Sequence, residues 1–110
     1  MQNNISVMEI LKEFKAELKK LYGNKLKNVI LYGSYARGYD NEESDIDLAI
    51  ILKGNILPFK EIDRMTEIAC DIDLKYDTLL SIHPVSEDDF STLMTPLLVN
   101  IRDEGVQVWT

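Results

Sequence analysis

Cysteine occurs once in the 110 residues, at Cys70, and histidine once, at His83. A single thiol excludes an internal disulfide and a cysteine-based zinc cluster. A lone histidine, without an acid or thiol paired to it in the sequence, is expected to be structural or exposed. Because Pro84 follows it, His83 is expected in an extended or turn conformation. No apolar run approaches the ~18 residues of a membrane span, and no basic-then-apolar leader opens the chain. A soluble cytoplasmic protein without membrane association is the expectation. Positive charge is also scarce: 12 Lys and Arg against 19 Asp and Glu leave a net charge of −7. Such a surface repels phosphate backbones, so stable nucleic-acid binding is not expected. Repeats, low-complexity tracts and linkers are missing as well. The length fits one domain, residues 1–110, which at this size buries roughly two-thirds of its unfolded surface. With 45% apolar residues it holds a core, but it leaves no room for a second substrate domain.

The informative stretch is GSYARGYDNEESDIDL, residues 33–48. The apolar run Val29-Ile30-Leu31-Tyr32 before it reads as a buried strand, and so does the run 46–52 that carries and follows the acids. Side chains alternate along a strand, so Asp45 and Asp47 point to one face. Two carboxylates set side by side repel each other, and a divalent cation with a preference for oxygen ligands neutralises them. Mg2+ is typically held by one or two carboxylates together with substrate phosphates. Gly33 permits a tight turn or a close backbone approach. Ser34 is placed to cap a short helix, whose free N–H groups suit a phosphate. A nucleoside triphosphate meeting this acidic surface needs a cation between the two, which strengthens the metal reading. Other phosphate loops do not fit. The glycines at 33 and 38 lack the third of a dinucleotide-binding Gly-x-Gly-x-x-Gly, and no Gly-Lys-Ser/Thr ends a Walker loop.

Gly33-Ser34, ten further residues, and then Asp45-Ile46-Asp47-Leu48 resemble the signature of the nucleotidyltransferase superfamily that includes DNA polymerase beta. With Ala36-Arg37-Gly38 and Ser44 the string is similar to the minimal nucleotidyltransferases of prokaryotes, many of which act as antitoxins of a helical HEPN partner. The likeness is most specific over residues 29–52 and extends more loosely through Tyr76-Asp77 and residues 100–105. It implies transfer of a nucleoside monophosphate, usually AMP from ATP, to a protein hydroxyl, often a tyrosine of the HEPN partner. It implies two Mg2+ ions that clamp the attacking and leaving oxygens, held by Asp45 and Asp47. The Gly33-Ser34 turn would bind the β- and γ-phosphates, and Arg37 could offer them a planar fork. The family carries a third carboxylate on a strand that follows a helix, and Asp77 is the matching position. There it would share an ion and help remove the acceptor proton.

The rest of the chain reads as elements around this motif. Residues 5–22 form an amphipathic helix through Val7, Ile10, Leu11, Phe14, Leu18 and Leu21, ended by Gly23-Asn24. Strand one covers 28–32. Tyr35-Ala36-Arg37 form about one helical turn, and residues 39–44 form an acidic loop. Lys53-Gly54-Asn55 is a turn, and a helix runs from Pro58 to about residue 74. On it Asp71 and Asp73 diverge and read as surface acids. Strand three covers 75–82, with Asp77, Leu79 and Ser81 on one face; an unpaired buried Asp there would be costly. Ser86 and Thr95-Pro96 start two further helices, Gly105 stops the second, and a short strand ends the chain with Trp109 in the core. The fold class is mixed α/β: a mixed sheet of three main strands plus a short C-terminal one, helices on one face and the acids opening on a cleft at the other side.

Three functions compete. The first is an AMP-transferring antitoxin that modifies a partner protein. The second is a nucleotide-binding module that neutralises a partner by docking. The third is a small-molecule nucleotidyltransferase resembling the aminoglycoside enzymes, which commonly use an additional helical domain. A small open site and an apolar C-terminal segment predict a partner or a homodimer.

Overall fold

The computed structural model describes residues 6–33 and 45–108. The expected one-turn helix at 35–37, the loop at 39–44 and Trp109 lie outside them. The first element is helix α1, Val7–Tyr22. Ser6 caps it, its hydroxyl oxygen accepting from the Glu9 N–H at 3.2 Å, which satisfies one of the donors a helix start leaves open. A stripe of Ile10, Leu11, Phe14, Leu18 and Tyr22 is buried. Leu21, expected on it, is 36% exposed, and Tyr22 closes the stripe instead. A short 3-10 turn, Gly23–Lys25, leads into strand β1, Leu26–Tyr32.

Strand β2 is Ile46–Leu52. Helix α2, Pro58–Tyr76, opens with proline in its first turn, where a missing N–H costs nothing. Strand β3 is Leu80–Ser86, and two short helices follow, α3 at Glu87–Thr92 and α4 at Pro96–Glu104. Ser86 caps α3 through the Asp89 N–H and Thr95 caps α4 through the Leu98 N–H. Strand β4, Val106–Gln107, is the last described element.

These strands form one mixed sheet in the order β3-β2-β1-β4. Strand β1 is antiparallel to β2 and β4, while β2 runs parallel to β3. The parallel step needs a long crossover, and α2 supplies it. Pro84 sits in β3, an edge strand, where a lost ladder donor is tolerated.

Alternation along the strands sorts the core into two layers. Val29, Leu31, Ile46, Leu48, Ile50, Leu52 and Leu80 face α1 and α2, and Val108 joins them. Lys15 Nζ donates to the Val108 carbonyl at 2.6 Å, fastening the chain end to α1. On the other face Ile30, Ala49, Ile51 and Val85 meet Leu98 and Ile101 of α4, with Phe90 alongside. The mixed α/β class and the three strands plus a short fourth are as the sequence implied, and the two long helices do share a face. The second face is not bare: it carries α4, packed on Ile30, Ala49, Ile51 and Val85. No helix among the described residues is long and apolar enough to cross a membrane.

Candidate active site

The register of β1 on β2 builds the site. Tyr32, the last residue of β1, pairs with Asp47 near the start of β2. Paired residues of neighbouring strands share a face, so Tyr32 and Asp47 stand together on the side that α4 covers only further along. The start of β2 is held by its pairing with β1 and with β3, and by a bond from the Ile46 N–H to the Leu79 carbonyl at 2.9 Å. Asp45 lies one residue ahead of the strand and is exposed, while Asp47 is half-buried.

Gly33 follows Tyr32 with φ +73°, a backbone conformation that residues with a Cβ rarely adopt. The same glycine is seated against the acid. A Cβ built at position 33 would collide with Asp47 Oδ2 and lie 3.2 Å from Asp47 Cγ. Tyr32 feels the acid too: its phenol is pushed above the ordinary value by burial first and by the Asp47 charge second, so the hydroxyl stays protonated beside the carboxylate.

The third carboxylate is not where the sequence suggested. Helix α2 continues through Lys75 and Tyr76, and Asp77 is its cap, in the left-handed region at φ 56° and ψ 51°. Strand β3 begins three residues later. The cause is a tertiary anchor. The Tyr76 hydroxyl donates to Glu13 of α1, and Lys75 Nζ lies 3.1 Å from the same carboxylate. These contacts hold two more residues in the helix than the apolar stripe required. Asp77 is exposed, and among the described residues no three His, Cys, Asp or Glu side chains gather into a metal-holding group. Asp77 therefore does not join Asp45 and Asp47. The residue of β3 paired with Asp47 is Ser81, so Asp47 stands between Tyr32 and Ser81.

Asp73 is also corrected. It is half-buried rather than a surface acid, and its Oδ1 accepts from the Leu80 N–H at 2.9 Å and the Thr78 hydroxyl at 3.0 Å. Burial pushes its carboxyl up, and those two bonds pull it back. Its work is to hold the turn that delivers β3. Asp71 is exposed, as expected, and His83 is exposed on β3 paired with Ala49. Ser34 and Arg37, the other expected phosphate ligands, lie outside the described residues.

Neither Ser81 nor Tyr32 stood out as a site residue in the sequence. Ser81 carried a usable signal: once β3 is started at Leu80, alternation of Leu80 and Ile82 inward leaves Ser81 on the Asp47 face.

A glycine turn laid on the acid-bearing strand of a small mixed sheet marks a mixed α/β domain with a carboxylate at the strand start. The family model described as polymerase beta, nucleotidyltransferase matches residues 9–108. The chain belongs to that family and is a nucleotidyltransferase. A protein of Methanocaldococcus jannaschii, named provisionally as a protein adenylyltransferase, is 38% identical over 104 residues, 94% of this chain and all of that one. A second so-named protein of the same organism is 37% identical over 96 residues, covering 86% of this chain and 90% of its own. Among solved structures, a nucleotidyltransferase, provisionally so named, from Sulfolobus solfataricus superposes with a TM-score of 0.68 at 18% identity, over 100% of this chain and 92% of that one. A complex of tri-AMPylated HEPN toxin with MNT antitoxin from Shewanella oneidensis gives 0.57 at 18%, over 94% and 72%. At these identities the structural likeness concerns the fold, which is that of the minimal nucleotidyltransferases.

Proposed function

We propose that this nucleotidyltransferase moves AMP from ATP to a hydroxyl of a partner protein in a Mg2+-dependent reaction, as the antitoxin half of a pair with a HEPN-type toxin. The observation that carries the reading is the seat of Gly33 on the Asp47 carboxylate. It sets a turn suited to a phosphate directly against an acid suited to a cation. The donor set fits a hard divalent ion: two carboxylates at a strand start, with an oxygen-bearing Ser81 rather than a thiol or imidazole paired beside Asp47. When bound, Mg2+ would neutralise charge on the triphosphate and on the oxygens that bond and leave at phosphorus.

The chain's own residues divide the remaining work. Asp45 and Asp47 hold the cation. The backbone at Gly33, with Ser34 and Arg37 beyond it, receives the β- and γ-phosphates. The acceptor comes from outside the chain, at the strand end that carries Asp47. There the acceptor oxygen bonds to the α-phosphorus and gives its proton to solvent water, the bond to the β-phosphate oxygen breaks, and pyrophosphate departs. The relatives named for protein adenylyl transfer and the structural neighbour whose toxin is AMPylated support this choice of donor and acceptor. The reading expects a cytoplasmic protein.

The double variant Asp45→Asn, Asp47→Asn tests the reading. With a HEPN-type toxin as partner, the variant is expected to bind that partner and fail to neutralise it. Neutralisation retained by the double variant would show that docking alone suffices, and the transfer reading would be wrong.

A further inference from the structure

We infer that the groove along the outer edge of β3 is where the partner protein docks, and that it takes an apolar surface flanked by Lys or Arg side chains. The inference rests on the partner-modifying reading above and adds the surface through which the partner is held.

The groove has a volume of about 590 Å3 and follows His83 to Ser86 on β3, an edge strand of the sheet. Ile56 and Pro58, at the start of α2, wall it on one side; Leu93 and Leu97, about the turn from α3 to α4, wall it on the other. All of its lining residues are described. Apolar surface continues beside it in the chain: Phe59 is 85% and Met94 74% exposed. Contiguous exposed apolar surface marks an interaction site, and aromatic residues and Met are enriched in protein interfaces. A small ligand confined to the groove would leave Phe59 and Met94 in water, whereas a protein surface covers them. Arg102 fixes the turn that presents Met94. Its guanidinium donates to the Leu93 carbonyl at 2.7 Å and to the Phe90 carbonyl, and lies 3.1 Å from Met94 Sδ. A surface held in place beforehand loses little freedom on binding.

Charge selects the occupant. Asp88 and Asp89 line the groove, and no Lys or Arg is among the described residues that do. An isologous dimer sets one patch against itself, so a second copy would bring these acids together, which like-charge repulsion opposes. A partner with cations at its rim pairs with them instead. The groove also begins next to the site. His83 lies two residues after Ser81, which pairs with Asp47, so it shares the Asp47 face about 7 Å further along β3. Gly33 stands on the β1 side of Asp47 and the groove on the β3 side. Triphosphate and acceptor thus approach Asp47 from opposite sides, as an in-line displacement requires.

The experiment measures binding of a HEPN-type toxin to the full chain by titration calorimetry at low and high salt. Met94→Asp and Leu97→Asp put a charge on the apolar surface where the fold tolerates it. Arg102 can pair with the first, and the second sits in the first turn of α4, where an acid suits the helix dipole. Each is expected to weaken toxin binding roughly tenfold or more. The pair Asp88→Asn, Asp89→Asn is expected to weaken it at low salt and to flatten its salt dependence. Circular dichroism checks that each variant is folded, and methylanthraniloyl-ATP is expected to bind every variant as it binds the natural chain. Folded Met94→Asp and Leu97→Asp chains that hold the toxin as tightly as the natural chain would overturn the docking site and leave the transfer reading intact. Toxin binding unchanged by salt and by the asparagine pair would overturn the cationic flank. Loss of the ATP analogue in Met94→Asp or Leu97→Asp would assign the groove to the nucleotide, and a natural-chain dimer dispersed by them would assign it to a second copy; either result overturns the inference. A toxin that does not bind the natural chain would overturn the partner reading and this inference with it.

Discussion

Gly33 and Asp47 are in contact across the antiparallel pair of β1 and β2, so closely that a single added carbon at position 33 would strike the Asp47 carboxylate. The turn and the acid are therefore one unit, although 13 residues separate them in the chain.

Replacing Gly33 by alanine tests this unit. The φ of +73° and the collision act together. A non-glycine residue in a sparsely populated backbone region costs about 1–3 kcal/mol. A displacement of roughly 1 Å at a reacting group can cost about 10²-fold in rate. Gly33→Ala is expected to lower stability by about 1–2 kcal/mol in denaturant unfolding and to reduce nucleotidyl transfer by about 10²-fold. Transfer at the natural rate would show that the contact does not position Asp47.

Asp73 offers a prediction about the frame. Asp73→Ala leaves the Leu80 N–H and the Thr78 hydroxyl without their acceptor, a loss of about 1–3 kcal/mol for partly buried groups. Asp73→Asn keeps an oxygen there and is expected to recover most of it. Hydrogen exchange of the Leu80 amide is the local readout. It should speed up in the alanine variant and stay slow in the asparagine one.

Tyr22 gives the pH dependence. Its hydroxyl donates to the buried Glu61 carboxylate at 2.7 Å, while Arg64 lies 3.3 Å from the same carboxylate oxygen and over the Tyr22 ring. Burial, then the Glu61 bond, then the Glu61 charge push the phenol well above its ordinary value of 10.0. A group whose folded pKa is raised contributes stability that is full below its unfolded pKa and is lost as pH rises beyond it. Stability is therefore expected to fall above pH 10 more steeply in the natural chain than in Tyr22→Phe. At neutral pH that variant should be less stable by about 1–3 kcal/mol, because Glu61 loses a donor. Parallel pH profiles would show that the phenol is not coupled to folding.

What could be read from the sequence was what local chemistry determines. The turn at Gly33, the strand that carries Asp47, and the caps at Ser86 and Thr95 each depend on a few adjacent residues. The errors arose where distant contacts decide. Tyr76 belongs to a helix because Glu13, 63 residues away, accepts its hydroxyl bond. That shift moved Asp77 out of the strand and brought Ser81 opposite Asp47. Asp73 looked like one of two surface acids because its partners, Thr78 and Leu80, become neighbours only when the turn closes. The packing of α4 on the second face likewise follows from the sheet, which joins Ile30, Ala49 and Val85 into one surface for Leu98 and Ile101.

The most direct measurement follows ATP labelled in separate reactions at the α- or the γ-phosphate, with Mg2+, the protein and its HEPN-type partner. The account predicts label on the partner protein from the α position only, lost with Asp47→Asn. Label from the γ position would mean phosphoryl transfer and would contradict it, as would α-label that survives in Asp47→Asn.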